Sequence, residues 1–323
     1  MPRSRRLEDT LAELDRLRRK PISSEAIAAL RAALAGKSSH AAAKAAEIAG
    51  ELEIATLQPE LAAAFERFML SSEKTDPGCT AKTAIADALY RMGADEHRLF
   101  LRGIRHVQLE PVWGGKVDTA TALRGVCALG LVRNNYGDVM SELADLLADP
   151  EPRARADAAR AVAYAESEHG IPLLRLKALM GDEDPAVLTE CLAALLRLAP
   201  EASLPFVVRF LSRGGEATQE AAALALGGSR LEPAFTALRQ WWERTADPGL
   251  RRTALLAIAM SKRDAAIDFL LNLIAEGDGP SARDAVAALA MYRHDDALAG
   301  RVREAARRAD VDLRQALHDA FGD

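Results

Sequence analysis

The chain has 323 residues, of which 49% are hydrophobic, so it is long enough to bury an extensive core and has the composition of a folded protein. Aromatic residues make up only 5%, so alanine and leucine carry the apolar surface, which suits closely stacked helices better than a sheet. The formal net charge of −5 argues against a surface that follows nucleic acid or an anionic membrane.

The cysteines and the apolar runs indicate the compartment. Cys79, Cys127 and Cys191 lie far apart, each within a helical pattern, which is typical of reduced core thiols rather than a disulfide framework. The N-terminus is charged throughout, and no apolar run is long enough to span a bilayer. We therefore expect a cytoplasmic location and no membrane partner.

The first twenty residues have an amphipathic pattern. Leu7, Leu11, Leu14 and Leu17 fall on one helical stripe among charges of both signs. This pattern predicts an N-terminal capping helix over 1–20, with a polar back that protects the open end of an array. A docking arm for a partner or a membrane surface is the alternative.

Residues 246–277 show the unit from which the chain is built. Asp247-Pro248 opens an amphipathic helix, because Asp caps unpaired N–H groups and Pro fits the first turn. A polar break at 261–263 precedes a second amphipathic helix that ends at Gly277. One such pair cannot bury both apolar stripes, so it requires a neighbour of the same kind.

Openings of this kind recur along the chain. In the regular part, 118–323, they are spaced by about 31–34 residues, the length of one helix–turn–helix unit. These openings lie near Asp149, Glu183, Gly215, Ala246 and Asp278, and a final helix starts near Asp310. Residues 21–117 hold longer, looser repeats. We predict one all-α, right-handed α-solenoid over 1–323, built from roughly eight or nine stacked antiparallel helix pairs.

The repeated Asp-Pro, apolar, Arg, Ala-rich pattern resembles the HEAT-repeat family, in particular the short bacterial repeats related to those of phycobilisome lyases. The resemblance implies that the Asp-Pro-initiated helices line a concave face. It also implies an Asp/Arg ladder between successive turns. The matching positions are Arg155, Arg251, Arg283 and Arg314 for the base, and Asp184 and Asp247 for the acid.

The least regular stretch is 103–118, GIRHVQLEPVWGGKVD. Its Gly-Gly-Lys lies just before a helix predicted to start at Asp118, where backbone N–H groups are able to hold an anion. The phosphate-loop motif fails, because Glu110 and Val117 stand where that motif needs a glycine and a hydroxyl.

Residues 103–118 also contain His106, Glu110 and Asp118, which are of metal-ligating types, but no helical spacing sets them on one face. We interpret the stretch as a longer inter-repeat loop in which Trp113 packs on the helix ends. The alternative is a binding element that contacts a partner through His106, Trp113 and Lys116.

Catalytic patterns of HEAT-like enzymes are weak in this sequence. Trp113, Asp118 and Arg153 faintly echo the Trp and Asp of DNA glycosylases, but the acidic balance opposes a phosphate-tracking groove. The paired His-Glu dipeptides of deoxyhypusine hydroxylase do not occur. No motif excludes a phycobilin-lyase-like activity. We predict no catalytic residue, no cofactor and no metal ligand.

The adjacent pair Trp241 and Trp242 is a second candidate contact. Neighbouring helix positions point about 100° apart, so both rings cannot enter one core stripe. We expect one ring to pack beside Leu238 and the other to be partly exposed, either as an interface anchor or lying over the seam between helices.

We predict a non-catalytic scaffold or adaptor that binds a protein or peptide in the concave groove by shape. An enzyme or enzyme accessory of the HEAT-like class, with lyase-like or hydroxylase-like chemistry, is the first alternative, and a nucleic-acid-binding protein is the second. The predicted groove contacts are polar or large residues of the Asp-Pro-initiated helices. They are Arg160, Tyr164, Arg197, Arg252, Met260, Tyr292 and Arg293.

Overall fold

The structure, a computed structural model, describes residues 2–18, 23–307 and 310–322. These residues are mainly helical, which confirms the predicted all-α solenoid class. The chain divides into two compact units, Met1–Glu166 and Ser167–Asp323, which are described separately below. The predicted single array over 1–323 stays a prediction, and its boundary at 20/21 lies outside the described residues.

The first unit contains ten helices and one β-hairpin within its described residues. They are α1 (Pro2–Leu17), α2 (Ser24–Ala35), α3 (Ser39–Glu51), α4 (Gln58–Met69), α5 (Ser72–Thr75), α6 (Thr80–Arg91), α7 (His97–Ile104), β1 (Leu109–Val112), β2 (Gly115–Asp118), α8 (Thr121–Arg133), α9 (Val139–Leu147) and α10 (Pro152–Tyr164). Short 3-10 turns cover Ala55–Leu57 and Pro77–Cys79.

These helices stack in two layers. Layer 1 consists of α3, α6, α8 and α10, each in contact with the next, and layer 2 contains α2, α4, α7 and α9. Alanine allows the close approach within layer 1, where Ala42, Ala45 and Ala49 are fully buried. A Cβ on Gly50 would lie 2.8 Å from the Cα of Ala88, so α3 and α6 pack backbone to backbone at this point.

Helix α1 contacts α2 and α3, and its leucine stripe is its less exposed side. Leu14 is buried, Leu7, Leu11 and Leu17 are half-buried, and the charged residues between them face outward. This burial agrees with a helix that covers the end of the stack. The N-terminal helix therefore uses its apolar face within the chain.

The second unit repeats the same pattern more regularly. Its helices are α11 (Gly170–Met180), α12 (Pro185–Leu198), α13 (Pro200–Val208), α14 (Glu216–Ser229), α15 (Glu232–Arg244), α16 (Pro248–Met260), α17 (Asp264–Glu276), α18 (Gly279–Leu289), α19 (Asp296–Ala305) and α20 (Val311–Phe321), with 3-10 turns at Arg209–Ser212 and Ala290–Tyr292. Helices α12, α14, α16, α18 and α20 contact one another in sequence and form its layer 1.

Aspartate caps open the helices of this unit as predicted. The carboxylates of Asp247, Asp278 and Asp310 each accept a hydrogen bond from a backbone N–H three residues on, at 2.9, 2.7 and 2.8 Å. From Asp149 onward, every predicted opening lies within three residues of an observed layer 1 helix start.

The region around 103–118 differs from the prediction. It is a hairpin rather than an irregular loop, and Asp118 ends β2 while α8 begins at Thr121. Trp113 does not pack on helix ends but is fully exposed at the hairpin tip. The reason is the two-residue connection Trp113-Gly114, in which Gly114 has a φ of 91°, a value open to glycine without strain.

Candidate functional site

The hairpin projects several apolar side chains into solvent. The strands pair antiparallel, with Leu109 opposite Asp118 and Val112 opposite Gly115. The exposed fractions are 46% for Leu109, 50% for Val112 and 45% for Val117, and Trp113 is fully exposed. Exposed apolar groups clustered on a short element mark interaction surfaces more often than scattered ones do.

Glu110 fixes the hairpin to the helical stack. Its Oε1 accepts hydrogen bonds from the backbone N–H of Gly78 at 2.7 Å, the amide of Gln108 at 2.6 Å and the hydroxyl of Thr119 at 2.9 Å. Burial raises the pKa of the Glu110 carboxyl, but these hydrogen bonds outweigh it and the pKa lies below its ordinary value. Glu110 is therefore an anchoring carboxylate.

Asp118 holds the other end of the hairpin. Its Oδ1 accepts hydrogen bonds from the N–H groups of Gln108 and Ala120 at 3.0 and 2.9 Å. Its Oδ2 lies 2.7 Å from Nη1 of Arg124, which is itself buried and lies 2.9 Å through Nε from Asp149 Oδ2. The carboxyl is thus part of an Asp–Arg–Asp bridge between successive repeats.

A second buried ion pair lies beneath the hairpin. Lys82 Nζ is 3.1 Å from Asp76 Oδ2, and neither side chain is exposed. Asp76 also accepts hydrogen bonds from the N–H groups of Ala81 and Lys82 at 2.9 and 3.0 Å, while its carbonyl accepts one from the Gln108 amide at 2.9 Å. Gln108 therefore couples this ion pair to the hairpin.

His106 lies at the hairpin base and is half-buried. Its Nε2 is 3.3 Å from Gln108 Oε1, and its carbonyl accepts a 2.9 Å hydrogen bond from Arg124 Nη1. Burial lowers the pKa of His106, which favours the neutral ring. The structure thus places His106 under the hairpin, while Lys116 is exposed on β2 and Trp113 at the tip.

A pocket of about 550 Å³ opens on layer 1 beside the hairpin. Its floor is built from small or apolar side chains of α6 and α8, and Gly78 and Thr119 at its edge both hydrogen-bond Glu110. The lining residues are Glu47, Gly78, Cys79, Thr80, Thr83, Ala84, Asp87, Thr119, Ala122, Gly125, Val126, Leu129, Arg153, Asp157 and Arg160.

Charged residues of α10 form one wall of the pocket. Arg160 Nη1 donates a 2.7 Å hydrogen bond to Asp157 Oδ1, while Arg153 lies 3.8 Å from the same carboxylate and is largely exposed. Asp157 lies over Gly125, where an added Cβ would come within 2.5 Å of Asp157 Oδ2. Because Gly125 has no side chain, there is room for the Asp157 carboxylate at this position.

Two of the predicted groove residues belong to the first unit. Arg160 lines the pocket, and Tyr164 ends α10, where its hydroxyl interacts with Tyr90. Burial together with this hydrogen bond raises the pKa of Tyr90. The sequence does not predict the other pocket residues, because the small side chains in the floor are of types that are common throughout the helices.

The remaining predicted groove residues lie on layer 1 helices of the second unit or directly after one. Arg197 and Arg252 are exposed, Met260 is half-buried at the end of α16, and Arg293 is exposed. Tyr292 is half-buried, and its hydroxyl donates a 2.6 Å hydrogen bond to the carbonyl of Ala259. Tyr292 thus ties α18 to α16.

The two tryptophans divide as expected. Trp241 is buried and Trp242 is half-buried. The ring of Phe269 packs edge-on against Trp242 at a centroid distance of 5.5 Å, and the Arg251 guanidinium lies 4.3 Å from the Trp242 centroid. The ring therefore has two intramolecular neighbours, which favours the interpretation of a ring that lies over the helix seam.

The thiols are poor nucleophiles in their surroundings. Cys79 touches the pocket but is fully buried, and burial raises its pKa to about 11. Burial also raises the pKa of Cys191 to about 12 and that of Cys127 well above its ordinary value. The pocket therefore offers no thiolate at neutral pH.

Within the described residues, no cluster of three or more His, Cys, Asp or Glu side chains has the geometry of a metal site. In the same ranges, no helix is both long enough and apolar enough to cross a lipid bilayer.

Comparison with known proteins identifies the repeat. Residues 140–227 and 215–290 match HEAT repeats, and this match confirms the predicted resemblance. Residues 140–290 of the chain therefore consist of HEAT repeats.

No curated protein sequence matches the chain. Among solved structures, the complex of CpcE and CpcF of phycocyanin lyase from Nostoc sp. PCC7120 is similar at 18% identity and a TM-score of 0.37. That similarity covers 93% of this chain and 96% of the other. The finer resemblance to lyase-type repeats remains a prediction.

Proposed function

We propose that the chain is a non-catalytic scaffold that binds a segment of a partner polypeptide in the layer 1 pocket of its first unit. The pocket of about 550 Å³ beside the hairpin is the observation that carries this proposal. Its floor is apolar and its rim carries charges of both signs, which is the division found at protein interfaces.

The neighbouring hairpin supports binding of a polypeptide rather than of a small molecule. The pocket is open along the layer, and the hairpin beside it exposes the apolar side chains of Val112 and Val117. An elongated partner is able to bury both surfaces at once, whereas a compact ligand fills only the pocket. Trp113 at the tip is of the type most often found as an interface anchor.

The enzyme alternative gains no support from the ionisable groups around the pocket. Each carboxylate beneath the hairpin accepts several hydrogen bonds, and Asp118 and Asp76 are each paired with a buried cation. The thiol that touches the pocket has a raised pKa. These groups are arranged to hold repeats together rather than to exchange protons with a substrate.

A test uses peptides selected from a random displayed library on the full chain. The affinity of a selected, fluorescently labelled peptide is measured by anisotropy for the wild type and for Val126→Glu. Val126 is half-buried and lines the pocket floor, so a charge there should weaken binding at least tenfold, or about 1.4 kcal/mol.

Val139→Glu is the matched control. It makes the same substitution at a half-buried position, but at the start of α9 in layer 2, where a glutamate is favoured by the helix N-terminus. Binding should persist in this variant. If both helical variants bind the peptide as the wild type does, the pocket is not the binding surface.

A further inference from the structure

The hairpin has one backbone edge on which no proline interrupts pairing with another strand. Thr119 N–H donates to the Gln108 carbonyl at 3.0 Å, which makes 108 and 119 a hydrogen-bonded pair. Such pairs alternate along an antiparallel ladder, so 110 with 117 and 112 with 115 are also bonded pairs. The backbone groups of Pro111 and Lys116, which face each other between those pairs, therefore point away from the ladder.

The two edges of the hairpin differ in the backbone N–H groups that are available for hydrogen bonding. On β1, the outward positions are Leu109 and Pro111, and Pro111 has no N–H to donate. On β2, the outward positions are Lys116 and Asp118, and each has both an N–H and a carbonyl. Proline therefore interrupts the row of outward backbone groups on β1, whereas the row on β2 is complete.

The two faces beside this edge differ. On β2, Val117 lies on the face that carries Glu110, and Lys116 and Asp118 lie on the opposite face. The side chains of an added strand alternate between faces, so one set of them would lie beside Val117 and the other set beside Lys116.

The hairpin is held in place for this role. The Glu110 face is bonded to Gly78 and Thr119, both of which line the layer 1 pocket. A chain that leaves the pocket next to Thr119 reaches the base of β2 directly. The edge and the pocket thus form adjoining parts of one surface in the first unit.

We infer that the β2 edge takes an extended segment of the partner polypeptide by strand addition, with alternating apolar side chains and a carboxylate beside Lys116. This inference rests on the proposed function. Among the described residues Lys116 forms no ion pair, so its charge is available to a partner. An acidic residue complements that charge.

The same charge disfavours a second copy of this chain as the occupant. Antiparallel pairing of β2 with β2 of another copy places Lys116 beside Lys116 in the register that uses the most residues. Like charges directly opposite each other destabilise a strand pair. The partner strand is therefore expected to differ from β2.

The test compares three substitutions at Lys116 with the display-selected peptides as the probe. Lys116→Pro removes the outward N–H but no hydrogen bond within the hairpin, and Pro111 directly opposite shows that the ladder accepts proline at this position. Lys116→Gln keeps the N–H and removes the charge. Lys116→Glu reverses the charge.

The inference predicts that Lys116→Pro weakens peptide binding at least tenfold, Lys116→Gln only a few-fold, and Lys116→Glu more than Lys116→Gln. N-methylation of alternate peptide residues should reproduce the loss in one alternate set and not in the other. Equal affinities for Lys116→Pro and Lys116→Gln would overturn strand addition.

The Val126→Glu variant separates this inference from the proposed function. Loss of binding in Val126→Glu with full binding in Lys116→Pro would support the pocket proposal and contradict strand addition. A selection that yields no binding peptide would contradict both the proposed function and strand addition. Light scattering tests whether a second copy of the chain occupies the β2 edge. If the wild type is a dimer and Lys116→Pro is a monomer, the occupant is another copy, which would contradict the inference.

Discussion

The guanidinium of Arg124 lies 2.7 Å from the carboxylate of Asp118, and both side chains are buried. The same guanidinium lies 2.9 Å from Asp149 and donates to the carbonyl of His106 at 2.9 Å. One side chain of α8 therefore connects the base of the hairpin, the end of β2 and the start of the next repeat. The position of the hairpin is set by the core of the first unit.

Removal of Arg124 should destabilise the first unit strongly. Arg124→Met roughly keeps the volume of the side chain but leaves the buried Asp118 and the partly exposed Asp149 without their cation, and breaking a buried pair in this way costs about 3–5 kcal/mol. Urea unfolding followed by circular dichroism measures the loss. Arg153→Met, at a largely exposed position, should change the free energy of unfolding by less than about 0.5 kcal/mol.

The Asp118 carboxyl should make the first unit sensitive to acid. Burial raises its pKa, but the N–H groups of Ala120 and Gln108 and the charge of Arg124 outweigh burial, so the pKa is lowered in the folded state. A lowered pKa means that the stabilisation is complete above the unfolded value, about 3.9, and is lost as the pH falls through the folded value.

The measurement for Asp118 is the difference in unfolding free energy between the wild type and Asp118→Asn at several pH values. This difference should be largest at neutral pH and should shrink as the pH falls below about 4. A difference that stays constant from pH 7 to pH 3 would show that ionisation of Asp118 does not stabilise the fold.

Two adjacent glycines in α14 should respond oppositely to alanine. A Cβ on Gly227 would lie 2.3 Å from the carbonyl oxygen of Ala257, whereas one on Gly228 would have no atom within 4 Å. Gly227→Ala should therefore lower the melting temperature, since α14 and α16 must separate. Gly228→Ala should raise it slightly, because alanine favours a helix over glycine by roughly 0.5–1 kcal/mol. Calorimetry of both variants provides the comparison.

The three cysteines should be inert in the folded protein. Cys79, Cys127 and Cys191 are fully buried and their pKa values are raised by burial. A thiol reagent should label none of them in native buffer at pH 8 and all of them in denaturant. Rapid native labelling at Cys79 would mean that the pocket opens far enough to expose that thiol.

The repeat boundaries could be predicted from the sequence because most repeats begin with a local helix-capping signal. Asp-Pro openings and small-residue stripes fixed the layer 1 helix starts of the second unit, and local capping then formed as expected at Asp247 and Asp278. The hairpin was not predicted because Val107 and Leu109 alternate with the polar Gln108 and Glu110 over only a short run, and here the apolar side chains are the exposed ones. Their exposure reflects an element that stands away from the core.

The buried ion pairs share a regular spacing in the sequence. An acid is followed six residues later by a base in Asp76 with Lys82 and in Asp118 with Arg124, and both pairs are in contact. The small pocket-floor residues carry no comparable signal. Their position beside the hairpin follows from the stacking of α6 on α8, which only the structure supplies.

The most direct measurement is photo-crosslinking of a display-selected peptide that carries a photoreactive residue, followed by mass spectrometry of the linked residues. The account predicts links to the segments that line the pocket, within 78–87, 119–129 and 153–160, and to the hairpin at 112–117. Links confined to layer 2 helices or to the second unit, with these segments unlabelled, would contradict it.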